Sequence, residues 1–291
     1  MNILNEKHGQ GWAAYNADCI EFAAQLPDNT IDFSVYSPPF ANLYVYSDSE
    51  RDMGNCANDG EFIQQYTYLL KEMHRAMRPG RICAVHCADL TTFKWKDGHI
   101  GLRDLSGEII RAHQAAGFIY HSRITVWKDP VTEMQRTKAL GLLYKQLCKD
   151  SCMSRQGNPD YVLVFRKDGA NDRPVTKRPE HFPVDRWQQW ASPVWMDIDQ
   201  GNVLNGRLAR TEKDEKHICP LQLDLIERAL LLWSNEGDTV FSPFMGIGSE
   251  GFVSVKNGRR FIGTELKPEY WRQACEFLSV AQAEGRDLFA A

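Results

Sequence analysis

Residues 31–40 have the sequence Ile-Asp-Phe-Ser-Val-Tyr-Ser-Pro-Pro-Phe, and the expected fold is built outward from this stretch. Its first six residues mix β-branched, aromatic and small side chains, which is typical of a β-strand. Pro38 and Pro39 end that strand, because a proline cannot donate a ladder hydrogen bond and restricts its own φ angle. Ser37 and Phe40 are therefore expected at the carboxyl end of a strand, where open α/β sheets bind ligands. A plain turn with a core phenylalanine is the alternative.

Length and composition favour one large α/β domain, with room for a modest insertion. The chain has 291 residues, of which 43% are hydrophobic. No run approaches the roughly 18 apolar residues of a membrane helix, and the N-terminus does not resemble a signal peptide. We therefore expect a cytoplasmic protein whose eight cysteines stay reduced. Cys83/Cys87 and Cys148/Cys152 are four residues apart, unlike the ligands of a zinc knuckle, so no metal is predicted.

Charge is unevenly distributed along the chain. The formal net charge is −4, which argues against a protein that coats nucleic acid without specificity. Residues 121–167 nevertheless contain nine Lys and Arg residues against four acids, a local net charge of +5. A basic face on part of the surface is therefore expected.

Strand and helix patterns alternate along most of the chain. A polar and aromatic loop is expected over residues 41–58, and loops of this length inside a compact domain are usually functional or mobile. The other expected elements are a strand and a short helix within 11–29, a helix from about Asn58 to Met77, strands at 81–87, 124–127 and 161–165, and helices at 106–116 and 139–149. Residues 168–216 hold four prolines and three tryptophans without a clear period, which indicates an inserted surface segment.

A glycine-rich turn follows a second strand, predicted at 239–241. Gly246, Gly248 and Gly251 satisfy the pattern G-x-G-x-x-G and open a helix, and Glu265 ends the next strand. Glycines let the backbone approach a ligand closely, and an acid at this position can bind two ribose hydroxyls. The pattern fits any cofactor with an adenosine end, including NAD and S-adenosylmethionine. A structural turn without a ligand is the alternative.

Several spaced strings resemble the amino-group DNA methyltransferases. The strings similar to the catalytic half of that family are Asp18-Cys19, Leu26-Pro27-Asp28, Ile31-Asp32 and Ser37-Pro38-Pro39-Phe40. Those similar to its cofactor half are His217-Ile218-Cys219-Pro220-Leu221, Phe241 to Gly248, and Gly263-Thr264-Glu265. This order, with the catalytic half first, is the circularly permuted order of the beta group. The chain departs from the family at Ser242, where Asp is usual, and at Cys219, where a basic residue is more common.

The resemblance implies a doubly wound, mostly parallel α/β sheet of the S-adenosylmethionine-dependent methyltransferase type. It divides the chain into a catalytic half (1–167), a target-recognition segment (168–216) and a cofactor-binding half (217–291). The implied cofactor is S-adenosylmethionine. The residues expected to bind it are Asp18, Ile218, Phe241, Ser242, Pro243, Phe244, Gly246, Gly248 and Glu265.

The implied reaction is methyl transfer to the exocyclic amino group of a base flipped out of DNA. The Ser37 hydroxyl and the Pro38 carbonyl would accept hydrogen bonds from the amino group, and Phe40 would stack on the base. Pro39 completes the catalytic motif. A serine at its first position favours cytosine N4 in this family, with adenine N6 as the alternative. Cytosine C5 methylation needs a cysteine nucleophile, and the chain has no Pro-Cys dipeptide.

The expected partner is double-stranded DNA, with a cognate restriction endonuclease as a further candidate and a monomeric or homodimeric state. The candidate DNA-binding residues are Arg173, Lys177, Arg178, Arg186, Arg207 and Arg210. His86 is expected to be a core histidine, and Trp187, Trp190 and Trp195 a small hydrophobic cluster. Two functions of other classes stay open at this point, namely an NAD-dependent oxidoreductase and a DNA-binding protein that has lost turnover.

Overall fold

The structure is a computed structural model that describes residues 3–39, 53–56, 59–137, 139–180, 182–204 and 220–289. Four of the candidate site residues, Phe40, Arg207, Arg210 and Ile218, lie outside these ranges. The strands are β1 (Asn5–Gly9), β2 (Trp12–Asn16), β3 (Ile31–Tyr36), β4 (Met77–Cys87), β5 (Leu90–Thr92), β6 (Gly101–Arg103), β7 (Ile119–Val126), β8 (Asp160–Arg166), β9 (Val194–Trp195), β10 (Thr239–Ser242) and β11 (Arg260–Glu265).

Helices alternate with most of these strands. They are α1 (Cys19–Ala23), α2 (Asp59–Ala76), α3 (Lys94–Asp97), α4 (Leu105–Ala115), α5 (Pro130–Thr137), α6 (Tyr144–Lys149), α7 (Val184–Trp190), α8 (Leu223–Trp233), α9 (Ser249–Lys256) and α10 (Pro268–Phe289). None of the helices in the described ranges is both long enough and apolar enough to cross a membrane.

Nine strands form the main sheet, in the order β1-β2-β11-β10-β3-β4-β8-β7-β9. The five central strands from β2 to β4 are parallel, whereas β8 runs antiparallel to both of its neighbours. The chain leaves β3 toward β4 and leaves β10 toward β11, so the connections diverge on either side of the β3–β10 pair. This reversal is a topological switch point, and ligands of open α/β sheets bind in the crevice outside it.

Apolar side chains cover both faces of the sheet, which is why the central strands are nearly continuous in apolar residues. On one face, α1, α2 and α4 pack over residues such as Val85 and Phe165. On the other face, α8, α9 and α10 pack over residues such as Val35 and Val240. The expectation of a doubly wound, mostly parallel α/β sheet is confirmed.

Three elements have bounds that differ clearly from the sequence prediction, and one of them is the strand expected at 124–127, which covers Ile119–Val126. The strand expected at residues 81–87 begins at Met77, because Gly80 adopts a left-handed φ of 72° and lets the chain turn without leaving the sheet. A Cβ at Gly80 would lie 2.7 Å from the Cβ of Asn171, so only glycine fits this crossing. The helix expected at 139–149 is shorter and covers only Tyr144–Lys149, after a 3-10 turn at Leu140–Leu142.

The segment after β8 is more closely integrated than the predicted surface insertion. Its strand β9 pairs with β7 at the end of the main sheet, and Trp195 is only 1% exposed. Trp187, by contrast, is 54% exposed and contributes little to the expected tryptophan cluster. The cation of Arg228 lies 5.0 Å from the ring centroid of Trp190 and 4.9 Å from that of Trp195. This part of the segment is therefore tied to α8.

Candidate active site and cofactor pocket

The Ser-Pro-Pro corner lies at the switch point, directly after β3. Ser37 is half-buried and Pro38 is buried. The register that pairs Phe241 of β10 with Ser34 of β3 brings the carboxyl ends of these two strands together, although about 200 residues separate them. The Ser37 strand end and the strand end that carries the glycine turn therefore lie side by side.

His86 and Asp160 extend the corner into a line of polar groups. The Ser37 hydroxyl oxygen lies 3.3 Å from His86 Nδ1, and His86 Nε2 lies 3.1 Å from Asp160 Oδ2. Lys128 Nζ donates to Asp160 Oδ1 at 2.5 Å. Both His86 and Asp160 are buried. Burial alone would raise the pKa of Asp160, but its contacts with His86 and Lys128 outweigh this effect and hold the pKa below its ordinary range.

This line of groups can orient the Ser37 hydroxyl. With the His86 proton on Nε2, facing the Asp160 carboxylate, Nδ1 is free to accept the hydroxyl proton of Ser37. The lone pairs of the Ser37 hydroxyl oxygen then stay available to accept hydrogen bonds from a ligand. His86 is therefore placed as a partner of Ser37, whereas the sequence analysis treated it as a core histidine.

The glycine turn lies beside this corner, between β10 and α9. Gly246 and Gly248 have positive φ angles of 53° and 93°, which L side chains adopt only with strain. A Cβ at Gly246 would meet no atom within 4 Å, so the backbone there borders open space. Glu265 Oε2 accepts a hydrogen bond from Gly246 N at 2.9 Å, and Oε1 accepts one from Lys267 N at 2.8 Å. The carboxylate is thereby fixed at the end of β11.

Two further polar groups lie in the same turn. Ser242 is fully buried, and its hydroxyl has no hydrogen-bond partner among the described residues. Glu250 is buried one residue into α9. Burial raises the pKa of Glu250 to about 8, because its own backbone N–H opposes the shift only weakly and the charge of Glu265 adds to it. Glu250 is therefore protonated at neutral pH and can donate a hydrogen bond. Glu250 is thus a site residue that the glycine pattern by itself does not predict.

The remaining candidate cofactor residues take different positions around the turn. Asp18 caps α1, since its Oδ1 accepts hydrogen bonds from the backbone N–H groups of Ile20 and Glu21. It lies two residues after Asn16, which pairs with Glu265 where β2 runs alongside β11. The Phe241 ring faces the core and stacks on Phe22. Phe244 is half-buried, and its ring centroid lies 5.7 Å from that of Tyr36. Pro243 is buried, and its carbonyl accepts a hydrogen bond from the Thr264 hydroxyl.

Two of the candidate DNA-binding residues lie at the opposite edge of the sheet. Because β8 is antiparallel, the chain leaves it where the parallel strands begin, far from the switch point. There Arg173 lies near Asp32, and Lys177 donates to the carbonyl of Ser234. The structure thus places Arg173 and Lys177 away from the Ser37 corner, and their contact with DNA stays a prediction. Arg178 is exposed in the same stretch, whereas Arg186 is exposed on α7 with its cation over the Trp190 ring.

The residues of the turn fit an adenosine-type cofactor. The buried Ser242 hydroxyl has no partner within the described ranges and can donate or accept a hydrogen bond. The open space at Gly246 lets a ligand approach the backbone closely, and the fixed Glu265 carboxylate can bind a ribose. Among the described residues, no group of three or more His, Cys, Asp or Glu side chains could hold a metal ion. The molecule is thus a doubly wound α/β protein with a nucleoside-cofactor turn beside a Ser-Pro-Pro corner.

Comparison with known proteins assigns the family. Residues 31–276 match the family of N6 and N4 methyltransferases described as DNA methylase. The orphan methyltransferase M.BamHII of Bacillus amyloliquefaciens is 52% identical over 258 residues, which cover 84% of this chain and 87% of that protein. The chain belongs to the N6/N4 DNA methylase family. This result removes the NAD-dependent oxidoreductase alternative.

Two further similar proteins differ in the target base that their names give, adenine in one and cytosine in the other. The DNA adenine methyltransferase YhdJ of Escherichia coli K12 is 31% identical over 169 residues, covering 56% of this chain and 54% of that protein. The solved structure of the cytosine-N4-specific PvuII DNA methyltransferase has a TM-score of 0.67 and 16% identity, and the match covers 98% of this chain and 97% of that one. At this identity the structural likeness shows the shared fold.

Sequence reasoning missed the two residues that hold Ser37. His86 is the penultimate residue of β4, and Asp160 is the first residue of β8. A polar residue at the end of an apolar strand was the available signal for each. Nothing in the sequence showed that β8 runs back along β4, and this pairing alone brings Asp160 to His86.

Proposed function

We propose that this protein methylates the exocyclic amino group of a base in double-stranded DNA, with cytosine N4 as the target atom. Its cofactor is S-adenosylmethionine, which supplies an electrophilic methyl group on a sulfonium. The observation that carries the proposal is the 3.3 Å approach of His86 Nδ1 to the Ser37 hydroxyl at the switch point, beside the glycine turn. In this geometry the Ser37 hydroxyl oxygen is a hydrogen-bond acceptor at the position where the amino group of the base would be activated.

Ser37 and Pro38 act on the amino group of the base. The lone pair of an aromatic amine is delocalised into its ring, so the nitrogen is a poor nucleophile. Acceptors aimed at the amino protons favour a pyramidal nitrogen and stabilise the positive charge that develops on it. The Ser37 hydroxyl is free for this role because its own proton points to His86. Phe40, following Pro39, stacks on the base after it is flipped from the duplex.

His86 and Asp160 handle the proton that the nitrogen releases once it has been methylated. Ser37 Oγ accepts that proton while its own proton passes to His86 Nδ1, so the hydroxyl is restored and the imidazole becomes a cation. Asp160 lies 3.1 Å from Nε2 and is kept ionised by its surroundings, and it stabilises this cation. Lys128 holds the Asp160 carboxylate in place.

Serine at the first motif position supports cytosine N4 over adenine N6. In the resembling family, Ser-Pro-Pro accompanies cytosine N4 and Asp-Pro-Pro accompanies adenine N6 more often. The likeness to the adenine methyltransferase YhdJ keeps adenine N6 as the second candidate. The base itself is the first quantity to measure.

The test is to incubate the protein with unmethylated DNA and S-adenosylmethionine, digest the DNA to nucleosides and analyse them by mass spectrometry. We expect N4-methylcytosine, and Ser37→Ala lowers its yield by about 100-fold. Ser279→Ala is the matched control, since that hydroxyl only bonds Cys275 within α10. N6-methyladenine would contradict the target assignment. If no base is methylated, a protein without turnover is favoured, and Ser242→Asp is the next variant to test.

The partners follow from the same proposal. The protein acts on double-stranded DNA, with the residues after β8 as its target-recognition segment and Arg178, Arg186, Arg207 and Arg210 as candidate contacts. The 52% identical relative carries the word orphan in its name, which favours a solitary enzyme over one paired with a restriction endonuclease. A location with the DNA in the cytoplasm, as a monomer or homodimer, is part of the proposal.

A further inference from the structure

A small hairpin leaves the main sheet at the catalytic edge. The strands β5 and β6 pair with each other and with no other strand of the described chain, and α3 forms the tip between them. β5 begins at Leu90, four residues after His86, and the chain returns to the body of the protein at α4. The sequence analysis did not single out this excursion.

The base of the hairpin is anchored beside the catalytic groups. Asp89 Oδ1 accepts a hydrogen bond from Ser106 N at 3.0 Å, and the Asp89 carbonyl accepts one from Asn158 Nδ2 at 2.5 Å. Asn158 lies two residues before Asp160. Asp104 caps α4 through Gly107 N at 2.7 Å. Both ends of the hairpin are therefore held by hydrogen bonds. The end at Asp89 is bonded to Asn158, in the segment that leads directly into Asp160.

The tip of the hairpin presents apolar side chains to solvent. Trp95 is 84% exposed, more than any other large hydrophobic residue in the described ranges, and its ring centroid lies 6.2 Å from that of Phe93. Ile100 and Leu102 are also exposed. The backbone around them is ordered by Asp97, whose Oδ2 accepts from Phe93 N at 2.6 Å. An exposed tryptophan on an anchored support is placed to contact a binding partner.

We propose that the hairpin formed by residues 90–103 contacts the DNA duplex and that Trp95 enters the base stack beside the flipped base. The proposal rests on the proposed methylation of duplex DNA. Apolar side chains inserted between base steps stabilise an opened duplex, and base faces stack on aromatic rings without sequence preference. Lys94, exposed next to Trp95, offers a cation to the phosphates.

The first arm of the test measures binding of a labelled DNA duplex by fluorescence anisotropy, in the presence of S-adenosylhomocysteine. We expect Trp95→Ala to weaken binding about tenfold, and Trp95→Phe to retain most of the affinity because a phenyl ring still stacks. The slope of affinity against salt stays unchanged, since no phosphate contact is removed. Tyr68→Ala is the matched control, because Tyr68 is 51% exposed on the outer face of α2. Equal binding by Trp95→Ala and the parent would overturn the proposal.

The second arm compares methylation of duplexes whose target base is paired or mispaired. A mispaired base costs less to extrude, so the mispaired duplex restores most of the activity that Trp95→Ala loses on the paired one. An equal loss on both duplexes would contradict entry into the base stack. The proposal would also be contradicted if sedimentation showed a dimer for the parent and a monomer for Trp95→Ala, because a second copy of the chain would then cover the tip. If the parent binds duplex but methylates none, the proposed function fails and the binding arm alone decides the role of Trp95.

Discussion

At the Ser-Pro-Pro corner, the proposed proton transfer depends on His86, which lies next to the Ser37 hydroxyl. His86→Ala removes the acceptor of the Ser37 hydroxyl proton, so the lone pairs of Ser37 are no longer directed at the substrate. We expect kcat to fall by about 100-fold with little change in KM for DNA, because the base still binds. Steady-state kinetics measure both constants.

The control for this prediction is His8→Ala, since the His8 side chain is half-exposed on β1 and contacts Glu6 and Tyr15. Its kinetics should match those of the parent. A His86→Ala enzyme with the kcat of the parent would show that His86 is only a packing residue.

Glu250 gives the folded protein a measurable pH dependence. Its pKa is about 8 in the folded chain against an ordinary value of 4.5, so the folded state keeps a proton that the unfolded chain releases in this window. The free energy of unfolding therefore falls as pH rises from about 4.5 to about 8, by at most about 1.4 kcal/mol per pH unit. Glu250→Gln cannot ionise and removes this dependence.

The measurement is the thermal midpoint of parent and Glu250→Gln at about pH 5.5 and about pH 8. The variant should gain stability relative to the parent at the higher pH. Glu284→Gln, which alters an exposed pair with Lys256, should leave the pH dependence unchanged. Parallel curves for the parent and Glu250→Gln would mean that Glu250 is already ionised in the folded protein.

At the scale of elements, the segment after β8 is held to the core through Arg228 on α8. The guanidinium donates to both carboxylate oxygens of Asp197, at 2.9 and 2.8 Å, and lies over two tryptophan rings. The Arg228 guanidinium lowers the pKa of Asp197 through these hydrogen bonds. A planar guanidinium can bind both carboxylate oxygens while it stacks on the tryptophan rings, whereas the ammonium group of a lysine cannot do both at once.

We therefore expect Arg228→Lys to destabilise the protein by about 1–3 kcal/mol in urea unfolding. Residues 184–204 should also become more sensitive to limited proteolysis, because β9 loses its support on α8. Arg272→Lys is the matched control, since Arg272 is exposed and pairs only with Glu269 along α10. If the two variants were equally stable, the contacts of Arg228 would not hold the segment.

At the scale of the whole molecule, a buried ion pair joins the two halves of the chain, residues 1–167 and 217–291. Arg81 of β4 pairs with Asp238 just before β10, and both side chains are almost fully buried. Arg81 also donates to the carbonyls of Asp32 and Arg173 at 2.7 Å. The two halves therefore share one network at the edge of the sheet opposite the site.

Asp238→Asn leaves the Arg81 cation buried without its counter-charge, and we expect a loss of about 3–5 kcal/mol in stability. Both halves should still unfold in one transition, because β3 and β10 belong to the same sheet. Urea unfolding followed by tryptophan fluorescence and by circular dichroism checks this through coincident midpoints. Two separate transitions in the parent would show that the halves are independent units.

Local features of the chain determined the elements that form the site. The pair Pro38-Pro39 ends β3, glycines at 246 and 248 supply the positive φ angles of the turn, and Glu265 ends β11. Each of these depends on the covalent geometry of a few neighbouring residues, so sequence alone was sufficient. The same holds for the apolar stripe of α2.

Only the tertiary structure decided which strand ends meet. The pairing of β3 with β10 places Ser37 beside the glycine turn, and the antiparallel β8 brings Asp160 to His86. The antiparallel direction of β8 also carries Arg173 to the opposite edge. Strand neighbours are chosen by burial and hydrogen bonding across the whole sheet, between residues far apart in the chain. No local pattern contains that information.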